Sequence, residues 1–254
     1  MTDRIEDAKT IFCLRQGDAC LVLGQRLAEW CGHGPALELD LSLSNLALDQ
    51  IGQARLFLQY AGELEGKGRD EDMLAYGRDA FDYRNVLLVE QPNGDFGRTV
   101  LRQFLFAAYQ RRLYDALSAS ADKRLAAIAQ KSLKEAQYHE RFSRDWVIRL
   151  GAGTEESHDH MQQALEALWR FVGELFERDD VETALVAEGV LPDMADAEES
   201  WRADMQATFA QAGLTPPDVR RGVAGGRAGR HTEHLGRLLS DLQFLQRAYP
   251  GAQW

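Results

Sequence analysis

Four long stretches of the 254-residue chain, about residues 10–31, 36–64, 95–120 and 122–150, repeat their apolar residues with the 3.6-residue period of a helix. Each presents an apolar stripe that needs a neighbour to cover it, so the stretches pack as a bundle. Gly32, Gly34 and Pro35 break the first from the second, and the charged, glycine-containing segment 65–72 reads as a loop. The following EDMLAYGRDAFDYRNVLLVEQPNGDF is predicted to hold a short helix, a compact apolar run and a turn at Pro92-Asn93-Gly94. So long a crossover suits a ferritin-like topology better than simple up-down hairpins. HMQQALEALWRFVGELFE gives a fifth helix, DDVETALVAEG a short sixth, DAEESWRADMQATFAQAG a seventh, and HTEHLGRLLSDLQFLQRAY a last one. The expected fold is all-α, a ferritin-like helical bundle with additional C-terminal helices. It is read as a single domain over residues 1–254, with a core bundle at about 10–150 and accessory helices at about 154–254.

Polar residues on the apolar stripes carry the chemical information. Glu135 and His139 lie one turn apart on the stripe of Leu125, Ile128, Ser132, Phe142 and Trp146, so both are expected to face the interior. On the second stretch Leu39, Ser42, Leu46, Asp49, Gln53, Leu56 and Tyr60 share a face; on the third, Gln103, Phe106, Gln110, Leu113 and Leu117 do. The predicted interior therefore offers Asp49, Gln53, Gln103, Gln110, Glu135, Tyr138 and His139. A di-iron bundle takes Glu-x-x-His from two helices and one further carboxylate from each of two others. Here the Glu-to-His spacing is four, Asp49 is followed at i+3 by Gly52, and two glutamines stand where carboxylates are wanted. Neutral amides do not balance two iron cations. One Glu-x-x-His, Glu155 to His158, falls in GAGTEESHDH, read as a loop. These groups suit a hydrogen-bonded structural network. One weakly bound ion, or an unconventional di-iron site from Asp49, Glu135 and His139, are the alternatives.

With 45% hydrophobic residues the chain can bury a full core, and six prolines with few alternating Val/Ile runs argue against sheet. A net charge of -11 disfavours nucleic acid and anionic membranes as general partners. Cys13, Cys20 and Cys31 contain no Cys-x-x-Cys and read as reduced, buried thiols. There is no run of 18 apolar residues, and MTDRIEDAK lacks a signal-peptide core, so a soluble, unprocessed, cytoplasmic protein is expected.

Other polar groupings are weaker. Glu29 and His33 are spaced by four, but Glu29 shares a polar face with Arg15, Asp18 and Gln25 and reads as a solvated or interface charge. His158, His160, His231 and His234 are expected on the surface, with Thr232 a cap candidate for the last helix. The run from Gly225 to Arg230, GGRAGR, with Arg220 and Arg221 before it, is either a plain mobile or interface loop or a phosphate contact through guanidinium and backbone N–H groups.

The strings CLVLGQRLAEWCGHGPALELDLSLSNLALDQIGQARLFLQYA, NVLLVEQPNGDF, KEAQYHERFSRDW, MQQALEALWRF, GRHTEHLG and the closing PGAQW resemble the C subunits of ring-1,2-phenylacetyl-CoA epoxidases, a phenylacetate-degradation family. The resemblance runs from about residue 12 to the C-terminus. It implies a non-catalytic, structural, ferritin-like subunit that assembles with a catalytic A subunit and other epoxidase subunits. The A subunit holds the di-iron centre and epoxidises the ring of phenylacetyl-CoA with dioxygen; a separate reductase with flavin and an iron–sulfur cluster brings electrons from NADPH. No cofactor is implied in this chain. The resemblance also suggests that a CoA ester touches Asp82, Tyr83, Arg84 and Asn85, and Thr183, Ala184 and Leu185. An aromatic ring and a guanidinium can cover adenine and hold phosphate; the alternative is that these residues pack the crossover against the bundle. A di-iron oxygenase in its own right and a stand-alone ferritin-like binding protein are the competing functions. The first two helices, apolar on more than one stripe, are the expected partner-facing surface, unless the chain's own elements cover them.

Overall fold

The computed structural model describes residues 2–219 and 222–252, with side chains from Ile5 onward. Arg220, Arg221 and the last two residues of PGAQW lie outside that range. The elements in chain order are α1 (Thr2–Ala28), α2 (Leu37–Glu65), α3 (Glu71–Tyr76), a 3-10 turn (Ala80–Asp82), α4 (Leu87–Glu90), α5 (Phe96–Leu117), α6 (Lys123–Gly151), α7 (Glu155–Leu168) running into a 3-10 stretch (Trp169–Phe176), α8 (Asp180–Ala187), α9 (Ala195–Ala212), a 3-10 turn (Gly226–Ala228), α10 (Glu233–Leu242) and α11 (Phe244–Ala248). There is no strand among the described residues. The chain divides into two compact units.

One unit comprises Met1–Pro92, Asp179–Leu185 and Ala224–Trp254, and is built on the hairpin of α1 with α2. The hairpin closes tightly because Gly17 lies against Leu58 and Gly24 against Ala47 and Ile51, where a larger residue would hold the helices apart. α1 is buried over most of residues 12–28. Its supposedly solvated face is the main departure from expectation: Arg15 and Asp18 are buried, because other segments of the unit bring their counter-charges to them. α2 buries Leu43, Leu46, Gln50, Gln53 and Phe57, whereas Asp49 is only half-buried. α10 and α11 are broken at Gln243, whose Nε2 donates to the carbonyls of Ala75 and Arg78, both at 3.0 Å.

The other unit comprises Asn93–Arg178 and Val186–Val223 and is built on the hairpin of α5 with α6. Asp95 and Asp122 cap the two helices by accepting backbone N–H bonds from Arg98 and from Arg124 and Leu125. α5 is buried almost all round, so Gln103 and Gln110 are interior as expected. On α6 His139 is buried and Glu135 half-buried, while Tyr138 is exposed beside Arg141 and does not belong to the interior. The carboxylate that α6 does bury is Glu140, paired with Arg111 and Arg112. Trp169, Phe176, Trp201 and Phe209 form an aromatic cluster joining α9 to the 3-10 stretch. The GAGTEESHDH segment is not a loop: Thr154 caps α7 by accepting the Ser157 N–H, so Glu155 and His158 are helical.

Candidate functional site

Charges in the first unit converge on the segment from Arg78 to Glu90, which contains Asp82, Tyr83, Arg84 and Asn85. α1 supplies Asp18, completely buried, which accepts from both Nη atoms of Arg78 and from the backbone N–H of Arg84 at 2.8 Å. Arg78 also lies over the ring of Tyr83, 4.5 Å from its centroid. Burial, with the Asp18 charge behind it, pushes the Tyr83 phenol up, so it stays protonated and donates to the Ala75 carbonyl.

Glu90 is a second buried carboxylate. Its oxygens accept four bonds: from Asn85 Nδ2 at 3.0 Å, His231 Nδ1 at 2.8 Å, and the backbone N–H and hydroxyl of Thr232 at 2.7 and 2.8 Å. Thr232 is indeed the N-cap residue of α10, but its hydroxyl serves Glu90 rather than the helix. Arg26 of α1 donates to the Glu90 carbonyl twice, at 3.2 and 2.9 Å, and to the His234 carbonyl at 3.3 Å. Its Nη1 meets Glu29 at 2.7 Å, which makes Glu29 an ion-pair partner.

A third cluster ties in Thr183, Ala184 and Leu185. Arg15 bonds Asp179 and Glu182, and Arg227 reaches the same Glu182 oxygen at 2.9 Å. Burial raises the Glu182 pKa, with Asp179 adding to it against Arg227 and Arg15; burial would raise Asp179 also, but bonds from Glu182 and Arg15 hold it well below the ordinary carboxylate range. Arg227 belongs to the GGRAGR run, and a side chain on the neighbouring Gly226 would overlap the Asn85 carbonyl oxygen. The run is thus a packed strut between Glu182 and Asn85; its Arg227 is already paired, and its Arg230 is exposed.

The two segments named by resemblance therefore meet in one unit, linked through residues 226–231. Their side chains divide into two sets. Tyr83, Asn85 and Leu185 are buried and hold the backbone, whereas Asp82 and Thr183 are exposed and Arg84 and Ala184 half-exposed. Arg84 donates to the Phe81 and Tyr83 carbonyls at 2.6 and 2.8 Å. Phe81 itself is 80% exposed. Beside it opens a cavity of about 520 Å³ lined by Asp79, Ala80, Ser240, Gln243, Phe244 and Arg247.

The carboxylates Asp18 and Glu90, the arginines Arg78 and Arg227, and His231 were not singled out for this site by their sequence positions. One signal was available: Glu90 directly follows the apolar run Val86–Val89, where a carboxylate needs a buried partner.

The remaining candidates do not gather. His158 Nδ1 meets the Gly151 carbonyl at 2.7 Å, His160 lies 3.5 Å from Asp95 on the surface, and His33 meets the Cys31 carbonyl. Among the described residues no three His, Cys, Asp or Glu side chains come together as a metal-binding group. Gln53 in one unit and Gln103 and Gln110 in the other are buried amides. This donor set does not fit a di-iron centre, which requires several anionic oxygens. Cys13 and Cys20 are buried, but Cys31, at the end of the hairpin's first arm, is exposed. No helix among the described residues is long and apolar enough to cross a membrane.

The chain matches, over residues 1–254, the model of the family described as phenylacetic acid catabolic protein. It belongs to that family, whose fold is ferritin-like and helical. It is 51% identical, over 245 residues, to the C subunit of 1,2-phenylacetyl-CoA epoxidase of Escherichia coli (strain K12), an alignment covering 96% of this chain and 98% of that relative.

Proposed function

We propose that this chain is the non-catalytic, structural subunit of a multicomponent epoxidase acting on the aromatic ring of phenylacetyl-CoA, and that it supports a catalytic A subunit. The full-length identity to the C subunit of such an epoxidase carries this reading. The chemistry of the interior supports it: three of the buried carboxylates, Asp18, Glu90 and Glu140, are each engaged by Arg or His, and amides occupy other interior positions. In the assembly the di-iron centre, and the oxygen activation it supplies, belongs to the A subunit, while the flavin, iron–sulfur cluster and NADPH act through the reductase.

The CoA ester meets this chain, in the same reading, at Asp82, Arg84, Thr183 and Ala184. Tyr83, Asn85 and Leu185 shape that surface from beneath. Phe244 lines the neighbouring cavity, and the exposed Phe81 follows its lining residue Ala80 in the chain; both supply apolar contact area. A site half made by this subunit and half by its partner would keep the CoA moiety outside the catalytic pocket.

The test is reconstitution. The chain is mixed with the catalytic A subunit and reductase of its own system, mass is measured by light scattering, and phenylacetyl-CoA turnover is followed with and without the chain. The expected result is a stable hetero-oligomer, with iron in the A subunit and turnover that requires both. A catalytic subunit that is soluble, iron-loaded and fully active alone overturns the assembly role. Two irons and turnover in the isolated chain would establish the competing oxygenase reading.

A further inference from the structure

α2 carries along its outward side a stripe that the chain leaves bare. Leu37, Leu41 and Leu48 are 71%, 56% and 66% exposed. Helical periodicity places Asn45, Gly52 and Arg55 on the same line, and all three are exposed. Beyond its neighbours and the backbone of its own helix, no atom lies within 4 Å of the point where a Cβ on Gly52 would stand. The stripe runs about 27 Å from Leu37 to Arg55. One exposed leucine is ordinary; three in line ahead of a helix-interior glycine, a residue that weakens a helix, are not explained by packing within this chain.

The arrangement has internal symmetry about the point midway between Asn45 and Leu48. Gly52 lies as far beyond that point as Leu41 lies before it, and Arg55 as far beyond as Glu38 before. A twofold axis there, perpendicular to the helix, brings up a second α2 running antiparallel. Leu41 of each copy then faces the open Gly52 of the other, and Leu48 faces Asn45. Arg55, whose exposed guanidinium pairs with Glu71 of its own chain through Nε at 2.9 Å, comes level with Leu37 and Glu38 of the other copy, where its stem covers the leucine and its Nη atoms reach the second carboxylate. The two Asn45 amides meet next to the axis, the position at which a polar residue fixes register and orientation between helices. Every contact is made twice, as an isologous interface requires.

We propose that α2 is the seam of a twofold-symmetric pair of this chain, with Leu41 of each copy seated over Gly52 of the other. The pair is separate from the epoxidase reading and does not depend on it. One helix-to-helix seam falls at or below the lower end of specific interfaces, about 1,200 Å², so the pair is reversible, with a dissociation constant of about 1–100 µM. The net charge of -11 on each copy opposes it, so added salt tightens it.

Sedimentation of the full chain across that concentration range tests the seam. The wild type is expected to move from one chain mass to two, and Leu48→Lys to remain at one at every concentration. Gly52→Ala supplies a readout that misfolding does not imitate: it raises the unfolding temperature of the monomer, since its methyl enters open space on a helix, yet weakens pairing at least tenfold by filling the socket for Leu41. A wild type that stays monomeric throughout overturns the proposal, as does a dimer indifferent to both changes. If Leu48→Lys leaves the self-association of the chain unchanged but abolishes binding of the catalytic subunit, α2 belongs to that partner: the self-pair is then wrong and the assembly role stands.

Discussion

His231 has a carboxylate oxygen at one ring nitrogen and the Tyr83 carbonyl at the other. A carboxylate at one nitrogen and a carbonyl at the other favour the imidazolium form of the ring, which donates to both. Burial alone would lower its pKa, but the bonds to Glu90 and Tyr83, with the charges of Glu90 and Asp18, outweigh it and raise the pKa. Arg84 donates to the same Tyr83 carbonyl, Arg26 to the Glu90 carbonyl and Arg78 to Asp18, so cations also surround this group. A histidine with its folded pKa raised contributes stability in full below its unfolded pKa of about 6.5, and that contribution is lost as pH rises through the folded value. Urea midpoints are therefore expected to fall from about pH 6 toward pH 9 in the wild type, and to fall less in His231→Gln, which cannot be charged. The same slope in both proteins would mean that the ring is neutral at pH 6. Asp18 is the sharper case for stability: Asp18→Ala leaves Arg78 buried without its carboxylate and should cost about 3–5 kcal/mol in urea unfolding.

At the scale of elements, the strut from Gly225 to Thr232 joins the crossover to α8 and sets the start of α10. Gly226→Ala must displace the Asn85 carbonyl and is expected to destabilise by about 1–3 kcal/mol, whereas Gly236→Ala, inside α10 with nothing near its absent Cβ, should stabilise by about 0.5–1 kcal/mol. Thermal scans of the two variants decide whether the strut is packed as described; equal shifts would contradict it. The long helices were readable because a 3.6-residue period persists over many turns, and the four expected stretches match α1, α2, α5 and α6 to within three residues except where α1 begins at Thr2. The start of α7 was missed because its first turn is polar, although Thr154 is a good cap. The buried charges were missed for a deeper reason. Arg15 and Asp18 look solvated from their own helix, and only chain elements 60 or more residues away in sequence, Arg78 and Asp179 among them, convert that face to an interior one. The segments 82–85 and 183–185 are named by resemblance alone, and of their residues Tyr83, Asn85 and Leu185 are buried.

For the whole molecule the same ionic economy decides what the interior can hold. A ferritin-like frame gives access to metal chemistry only where carboxylates converge free of other counter-ions, since two iron cations need several anionic oxygens. Here Asp18 faces Arg78, Glu90 faces His231, and Glu140 faces Arg111 and Arg112. Drawing any of them to iron would leave an arginine or imidazolium buried without its charge, at a cost of about 3–5 kcal/mol for each pair broken. These three carboxylates are thus committed to holding their own units in shape. The corresponding prediction is that the purified chain, loaded anaerobically with ferrous iron and desalted, retains less than one iron per chain, and that a chelator leaves its unfolding temperature unchanged, because no stabilising metal is removed. Metal analysis with paired thermal scans checks both parts. Two irons per chain surviving desalting, with a chelator-sensitive unfolding temperature, would show that these carboxylates exchange their arginine partners for metal and would reopen the oxygenase reading for this chain.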